Sequence, residues 1–182
     1  TVEHVLSEIN TGKYLLPAIQ REFVWDPNQI LALVDSLMRG YPIGSFLLWE
    51  VKPESTKIFT FYNFITNFHE KDAPYATTAT VPAGRGLTAV LDGQQRLTSL
   101  NIAFYGSHSQ KKKGAWSTNL SAYPKRRVYL NLADDVEREE LGLRYDLRFL
   151  TDQEAARKDG EPDSRFLLHD VFLLADSGPA IM

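Results

Sequence analysis

The sequence predicts an α+β domain, and three observations carry that reading. Apolar residues recur at helical spacing in separated stretches, short apolar runs bounded by Gly, Pro or Asp lie between them, and no internal repeat orders the chain. The 182 residues, 43% of them hydrophobic and 21 of them aromatic (10 Phe, 8 Tyr, 3 Trp), are enough to bury a real core. That length suits one ordinary domain, or one domain carrying a smaller appendage.

In chain order, Val2, Val5, Leu6 and Ile9 share one face of a short helix that Asn10, Thr11 and Gly12 stop. Residues 14–19 form an apolar stretch broken by Pro17, too short for another helix, and are predicted as a strand or extended edge. Asp26 and Pro27 then start a helix. The carboxylate accepts orphan amide hydrogens, and proline has no amide to leave unpaired. Ile30, Leu33, Val34, Leu37 and Met38 line one face of it, Arg39-Gly40 supplies its stop, and Asp35 is expected on the wet face. Residues 45–51 are predicted as a buried strand. Residues 52–86 mix aromatics with Pro, Thr and Gly and suggest a hairpin and a mobile loop. Residues 87–91 read as a compact strand; after Asp92-Gly93 the apolar positions Leu97, Leu100, Ala103 and Phe104 return to helical spacing. Residues 128–132 are a further strand.

Composition excludes several functions. Without cysteine there is no thiol nucleophile, disulfide or thiolate metal site. The net charge, 20 minus 23 or −3, argues against a domain that coats nucleic acid by bulk potential, so any anion site is local. The charge is nevertheless uneven. Residues 107–127 carry Lys111, Lys112, Lys113, Lys125, Arg126 and Arg127 with no acid, whereas residues 133–182 hold 13 acids against 6 bases. The basic stretch reads as a loop able to contact DNA phosphates, with Trp116 and Tyr123 placed to stack on a base. His4, His69, His108 and His169 are scattered, with no HxxxH spacing, and no metal ligands are assigned. No run approaches a membrane span and no signal pattern opens the chain, so a cytoplasmic protein is expected. The start at Thr1 and the apolar end suggest a fragment of a longer chain.

The strongest chemical constellation is Val90 to Leu100. A strand that ends at a glycine turn and opens a helix brings unpaired amides and a positive dipole end to one point, which attracts phosphate. Gly93 permits close approach, Gln94 and Gln95 offer amide donors, and Arg96 offers a planar cationic fork. A plainer reading is equally open here: Asp92 caps the helix and the Gln-Gln-Arg run is its solvated first turn. A second constellation, Gln20, Arg21 and Glu22, interrupts two apolar stretches. Arg21 there needs an anion, either a ligand phosphate or Glu22 or Asp26. Phe23 and Trp25 read as packing residues.

Four motifs in order, Gln20 to Trp25 (QREFVW), Asp35 to Gly40 (DSLMRG), Tyr41 to Trp49 (YPIGSFLLW) and Leu91 to Leu100 (LDGQQRLTSL), resemble the N-terminal domain of GmrSD-type modification-dependent restriction endonucleases. The resemblance covers most of residues 1–106. It implies a ParB/sulfiredoxin-like mixed small sheet with flanking helices, in which Gly93 to Arg96 takes the place of a phosphate-binding helix start. Sulfiredoxin chemistry itself needs a cysteine this chain lacks. The expected organisation is a ParB-like nucleotide-binding domain over 1–132, with insertions near 52–86 and 107–127, then an acidic extension over 133–182 that begins a further region.

The resemblance further implies nucleoside triphosphate binding and hydrolysis, coupled in full-length members to DNA cleavage by a C-terminal HNH-type nuclease absent from this chain. In that scheme Arg96 and Arg21, with Gln20, hold the phosphates beside the Gly93–Gln95 amides. Gln94 or Gln95 orients water, and Asp92 is the carboxylate nearest to an accompanying Mg2+. Arg96→Ala is then expected to abolish binding with little change in stability. A non-hydrolysing, nucleotide-switched DNA- or partner-binding module is the alternative. Nucleotide preference, the DNA modification sensed and self-association are left open.

Overall fold

The computed structural model describes residues 1–18, 22–116, 118–132, 142–156 and 164–175. Gln20 and Arg21 lie outside the described residues, as does much of the acidic extension.

Helix α1 (Val2–Asn10) begins where the Thr1 hydroxyl accepts a hydrogen bond from the His4 amide, 3.2 Å away. Strand β1 (Tyr14–Pro17) follows, then helix α2 (Pro27–Met38). The expected Asp26-Pro27 start is present as a full capping box. Asp26 Oδ1 accepts from the Gln29 amide at 3.0 Å, and the Gln29 side chain accepts from the Asp26 amide at 3.0 Å. The chain then runs through β2 (Leu47–Val51), β3 (Phe61–Tyr62), β4 (Asn67–His69), β5 (Leu87–Asp92) and α3 (Gln94–Tyr105). It continues through β6 (Ser107–Ser109), β7 (Arg127–Asn131), β8 (Leu147–Leu150), the single-turn α4 (Asp152–Ala155), β9 (Arg165–Leu167) and α5 (Val171–Ala175). Mixed helices and small sheets make this an α+β fold, as the sequence predicts. No helix among the described residues is long and apolar enough to cross a membrane.

The principal sheet has the order β2-β5-β1-β3, with β1 and β5 parallel and both outer pairings antiparallel. Alternation along β1 and β5 divides the apolar residues between two faces. Leu16 and Val90 join the main core with Leu6, Ile30, Val34, Leu97 and Leu100, while Leu15 and Ala89 pack with Val51, Phe61 and Leu87 on the reverse face.

Helix α3 is the centre of the main core. Its apolar spacing predicts a one-sided helix, yet Thr98, Ser99 and Asn101 are buried as well. Asn101 makes its burial tolerable by hydrogen bonding: its Nδ2 donates to the Ile65 carbonyl (3.1 Å) and Thr66 Oγ1 (3.0 Å), and its Oδ1 accepts from Asn10 Nδ2 at 3.0 Å.

Three expectations are corrected and one, the hairpin, is met. Residues 45–51 do not form a buried strand: β2 starts at Leu47, lies at the sheet edge and exposes Leu47 and Leu48, burying only Val51. The hairpin expected within 52–86 is present as antiparallel bridges, Tyr62 opposite Thr78 and His69 opposite Ala73, while β3 also joins β1 and β4 runs parallel to β6. Asp35 is 2% exposed rather than wet, because residues 144–145 fold over it. Tyr123 is buried with its ring against His69, so it is not presented to a base, whereas Trp116 stays exposed.

The expected boundary after residue 132 falls between β7 and its antiparallel partners β8 and β9. Leu143, Leu147 and Leu168 share the main core with α1, α2 and α3. These later residues therefore complete the core that the first half leaves open.

His108 on β6 illustrates how burial sets chemistry. Its ring stacks on Phe68 at 4.6 Å and tilts against Phe149 at 5.5 Å. Burial pushes its pKa down to about 4; Glu70 and Asp26 pull upward and Arg126 adds to the lowering. Above pH ~6.5, its unfolded value, the ring is neutral in both states and has no effect on stability. As pH falls from there towards 4 the unfolded chain takes up a proton that the folded chain refuses, so stability drops by about 3 kcal/mol in all. Denaturant titrations across this window should show the decline in the native protein and a flatter profile in His108→Asn. Parallel profiles would show that other groups carry it.

Candidate functional site

The segment from β5 into α3 forms the turn that the sequence singles out. Gly93 is the N-cap of α3, in the left-handed region at φ 87°, and no side chain caps the helix. Asp92 is therefore the last strand residue and not the cap; its side chain is 70% exposed and stands 3.6 Å from the Arg96 guanidinium. A left-handed residue here favours glycine for a second reason, since a Cβ at Gly93 would run into the Phe46 ring. The first turn of α3 consequently presents amides with no side-chain acceptor, a half-positive end that suits an anion.

The side chains that follow face the protein. Gln94 Nε2 donates to the Val90 carbonyl at 2.9 Å. Gln95 clamps an extended segment from both sides: its Nε2 donates to the Glu22 carbonyl at 2.9 Å, and its Oε1 accepts from the Val24 amide at 3.1 Å. This exchange mimics one rung of a β-ladder. Arg96 holds a second segment, donating from one terminal nitrogen to the Ile43 carbonyl (2.5 Å) and from the other to the Ser45 carbonyl (2.7 Å). Its guanidinium also lies 4.8 Å from the Phe46 ring centroid. Gly44 sits under that guanidinium, where any side chain would collide with it. Three consecutive residues thus tie strand β5, segment 22–24 and loop 43–45 together.

Beside this turn is a cavity of about 140 Å3 lined by Glu22, Phe23, Tyr75, Gln94, Gln95 and Thr98, among others. In this arrangement it suits a phosphate-sized group rather than a whole nucleotide, for which about 300 Å3 or more is usual. Among the described residues no group of three His, Asp or Glu could hold a metal ion.

The basic stretch is divided by the fold. Lys111, Lys112, Lys113 and Lys125 are exposed. Arg126 and Arg127 instead meet the acids of α4: Arg126 Nε lies 3.6 Å from Glu154, and Arg127 is 2.7 Å from Asp152. The Arg127 bond lowers the Asp152 pKa, while hydrogen bonding from the Thr151 amide is the main cause of the lowering at Glu154. Nothing in the sequence pairs residues 126–127 with 152–154, so the division is visible only in the fold.

A small α+β domain organised about a strand–glycine–helix turn is the class these features define. Residues 2–171 match the family described as "GmrSD restriction endonuclease, N-terminal domain", and the chain belongs to it. It is also 38% identical over 94 residues to the protein described as "Uncharacterized protein MJ0686" of Methanocaldococcus jannaschii. That stretch spans 52% of this chain and 15% of the relative.

Proposed function

We propose that the chain is a nucleoside triphosphate-binding and hydrolysing regulatory domain of a modification-dependent DNA restriction protein, acting with a separate C-terminal HNH-type nuclease. The observation that supports this reading most is the uncapped amino end of α3 at Gly93, opening beside a cavity lined by Gln94 and Gln95. The terminal phosphates seat on the amides of residues 93–95, with electrostatic positioning supplying most of the rate. Arg96 and Gln95 connect this seat to the rest of the domain. A phosphate that draws either side chain away from its carbonyl partners releases loop 43–45 or segment 22–24, so occupancy becomes a change of shape. DNA contact falls to the exposed Lys111, Lys112, Lys113 and Lys125.

One observation favours a non-hydrolysing switch as the second reading: Gln95 spends both ends of its amide on backbone partners, and the Gln94 amide nitrogen is likewise held by the Val90 carbonyl, which leaves only the Gln94 Oε1 to orient an attacking water. Phosphate release separates the two. We expect turnover of at least one of the four common NTPs, stimulated by modified DNA. Saturable binding without release selects the switch, and no binding of any of the four overturns both readings.

A further inference from the structure

A larger cavity, about 340 Å3, lies between the amino end of α2 and the β6, β7 and β8 region, and no residue of the α3 turn lines it. Its polar wall is made by Asn28, His108, Gln110, Arg126, Arg148 and Glu154. His108 and Arg126 are directly opposed in an antiparallel bridge, with backbone hydrogen bonds of 2.9 and 3.1 Å in the two directions. Opposed residues project from the same face, so the imidazole and the guanidinium stand side by side. Arg148 is oriented by Asp146, which accepts from its Nε at 2.7 Å.

The histidine is the unexpected member. It is 4% exposed and lines the cavity, and its ring nitrogens have no hydrogen-bond partner among the described residues. The ring nitrogens are not sealed from solvent, so a ligand in the cavity can reach them. Held neutral by burial, it donates a hydrogen bond without adding charge. The acid in the wall is engaged elsewhere, in the capping box of α4. Glu154 is held by Thr151 at 2.8 and 3.0 Å, and its 3.6 Å approach to Arg126 is too long for a good hydrogen bond. Leu31 and Phe149 give the cavity an apolar side.

We propose that this cavity binds a phosphate ester, with Arg126 and Arg148 on the phosphoryl oxygens, His108 donating to them, and Leu31 and Phe149 supporting the organic body. Two guanidinium forks match the geometry of phosphoryl oxygens, and the volume is that of a small-ligand pocket. The ester is either a free nucleotide or a phosphodiester of DNA. The site stands apart from the α3 turn, so it holds or fails independently of that reading.

The test follows the His108 ring proton by NMR, assigned by its loss in His108→Gln, during titration with inorganic phosphate, adenosine monophosphate and a short DNA duplex. A saturable shift with the monophosphate, weakened on the order of tenfold in Arg148→Gln, is the expected result. If that variant misfolds, Gln110→Glu, on an exposed residue at the cavity, should weaken binding as much by repulsion. The stronger of the monophosphate and duplex responses identifies the source. No shift at millimolar concentrations of any probe, or equal affinity in a natively melting Arg148→Gln, overturns the proposal.

Discussion

Replacing Asp35 with alanine is expected to cost about 4 kcal/mol of unfolding free energy, the largest loss of any single change considered for this chain. Asp35 Oδ1 accepts from the backbone amides of Arg144 (2.9 Å) and Tyr145 (3.0 Å), and Oδ2 faces Arg39 at 3.4 Å. With the carboxylate removed, those two part-buried amides lose an acceptor that is itself only 2% exposed. Each unpaired buried amide costs about 1–3 kcal/mol. The consequence reaches beyond α2, because residues 144–145 lead directly into β8 and place Leu147 in the core. Asp35→Asn keeps an acceptor for the amides and should lose roughly half as much. Urea unfolding with an unchanged slope measures both; a Asp35→Ala midpoint within error of the native one would show that segment 142–146 docks without this bond.

Arg96→Ala should follow at about 2 kcal/mol, since it removes a charged donor from the part-buried Ile43 carbonyl and from the more exposed Ser45 carbonyl. This revises the expectation, drawn from the motif alone, that the change would leave stability nearly intact. Lysine at the same position keeps the charge but not the fork that spans two carbonyls, and should recover less than half of the loss. Thermal melts of the three proteins decide the point: an alanine variant that melts like the native chain would mean loop 43–45 is held by its other contacts. Nucleotide binding by Arg96→Ala is informative only below its own, lowered melting range.

The two predictions show why a motif can be legible while its mechanics are not. Residues 91–96 announce a strand, a glycine turn and a helix start, and the structure has all three. What Gln95 and Arg96 do depends on segments roughly 50 to 70 positions away, 43–45 and 22–24, which the local pattern does not mention. Asp35 is similar: four residues before Arg39 on an amphipathic helix, it reads as a solvated charge until residues 144–145 cover it. His108 carries no motif at all. Only the opposition of β6 to Arg126, and the Phe68 and Phe149 rings on either side, turn it into a neutral buried donor.

Short-range physics was therefore decided by the chain itself: the Asp26-Pro27 helix start, the Gly93 turn, the lack of thiol chemistry and the family-defining order of four motifs. These depend on neighbours within one or two helical turns, whose distances covalent geometry already bounds. Burial, pairing and the ownership of each polar group were decided by tertiary structure. They turn on which distant surfaces meet, and the free energy of a carboxylate or guanidinium changes by several kcal/mol according to whether water or a backbone carbonyl is its partner.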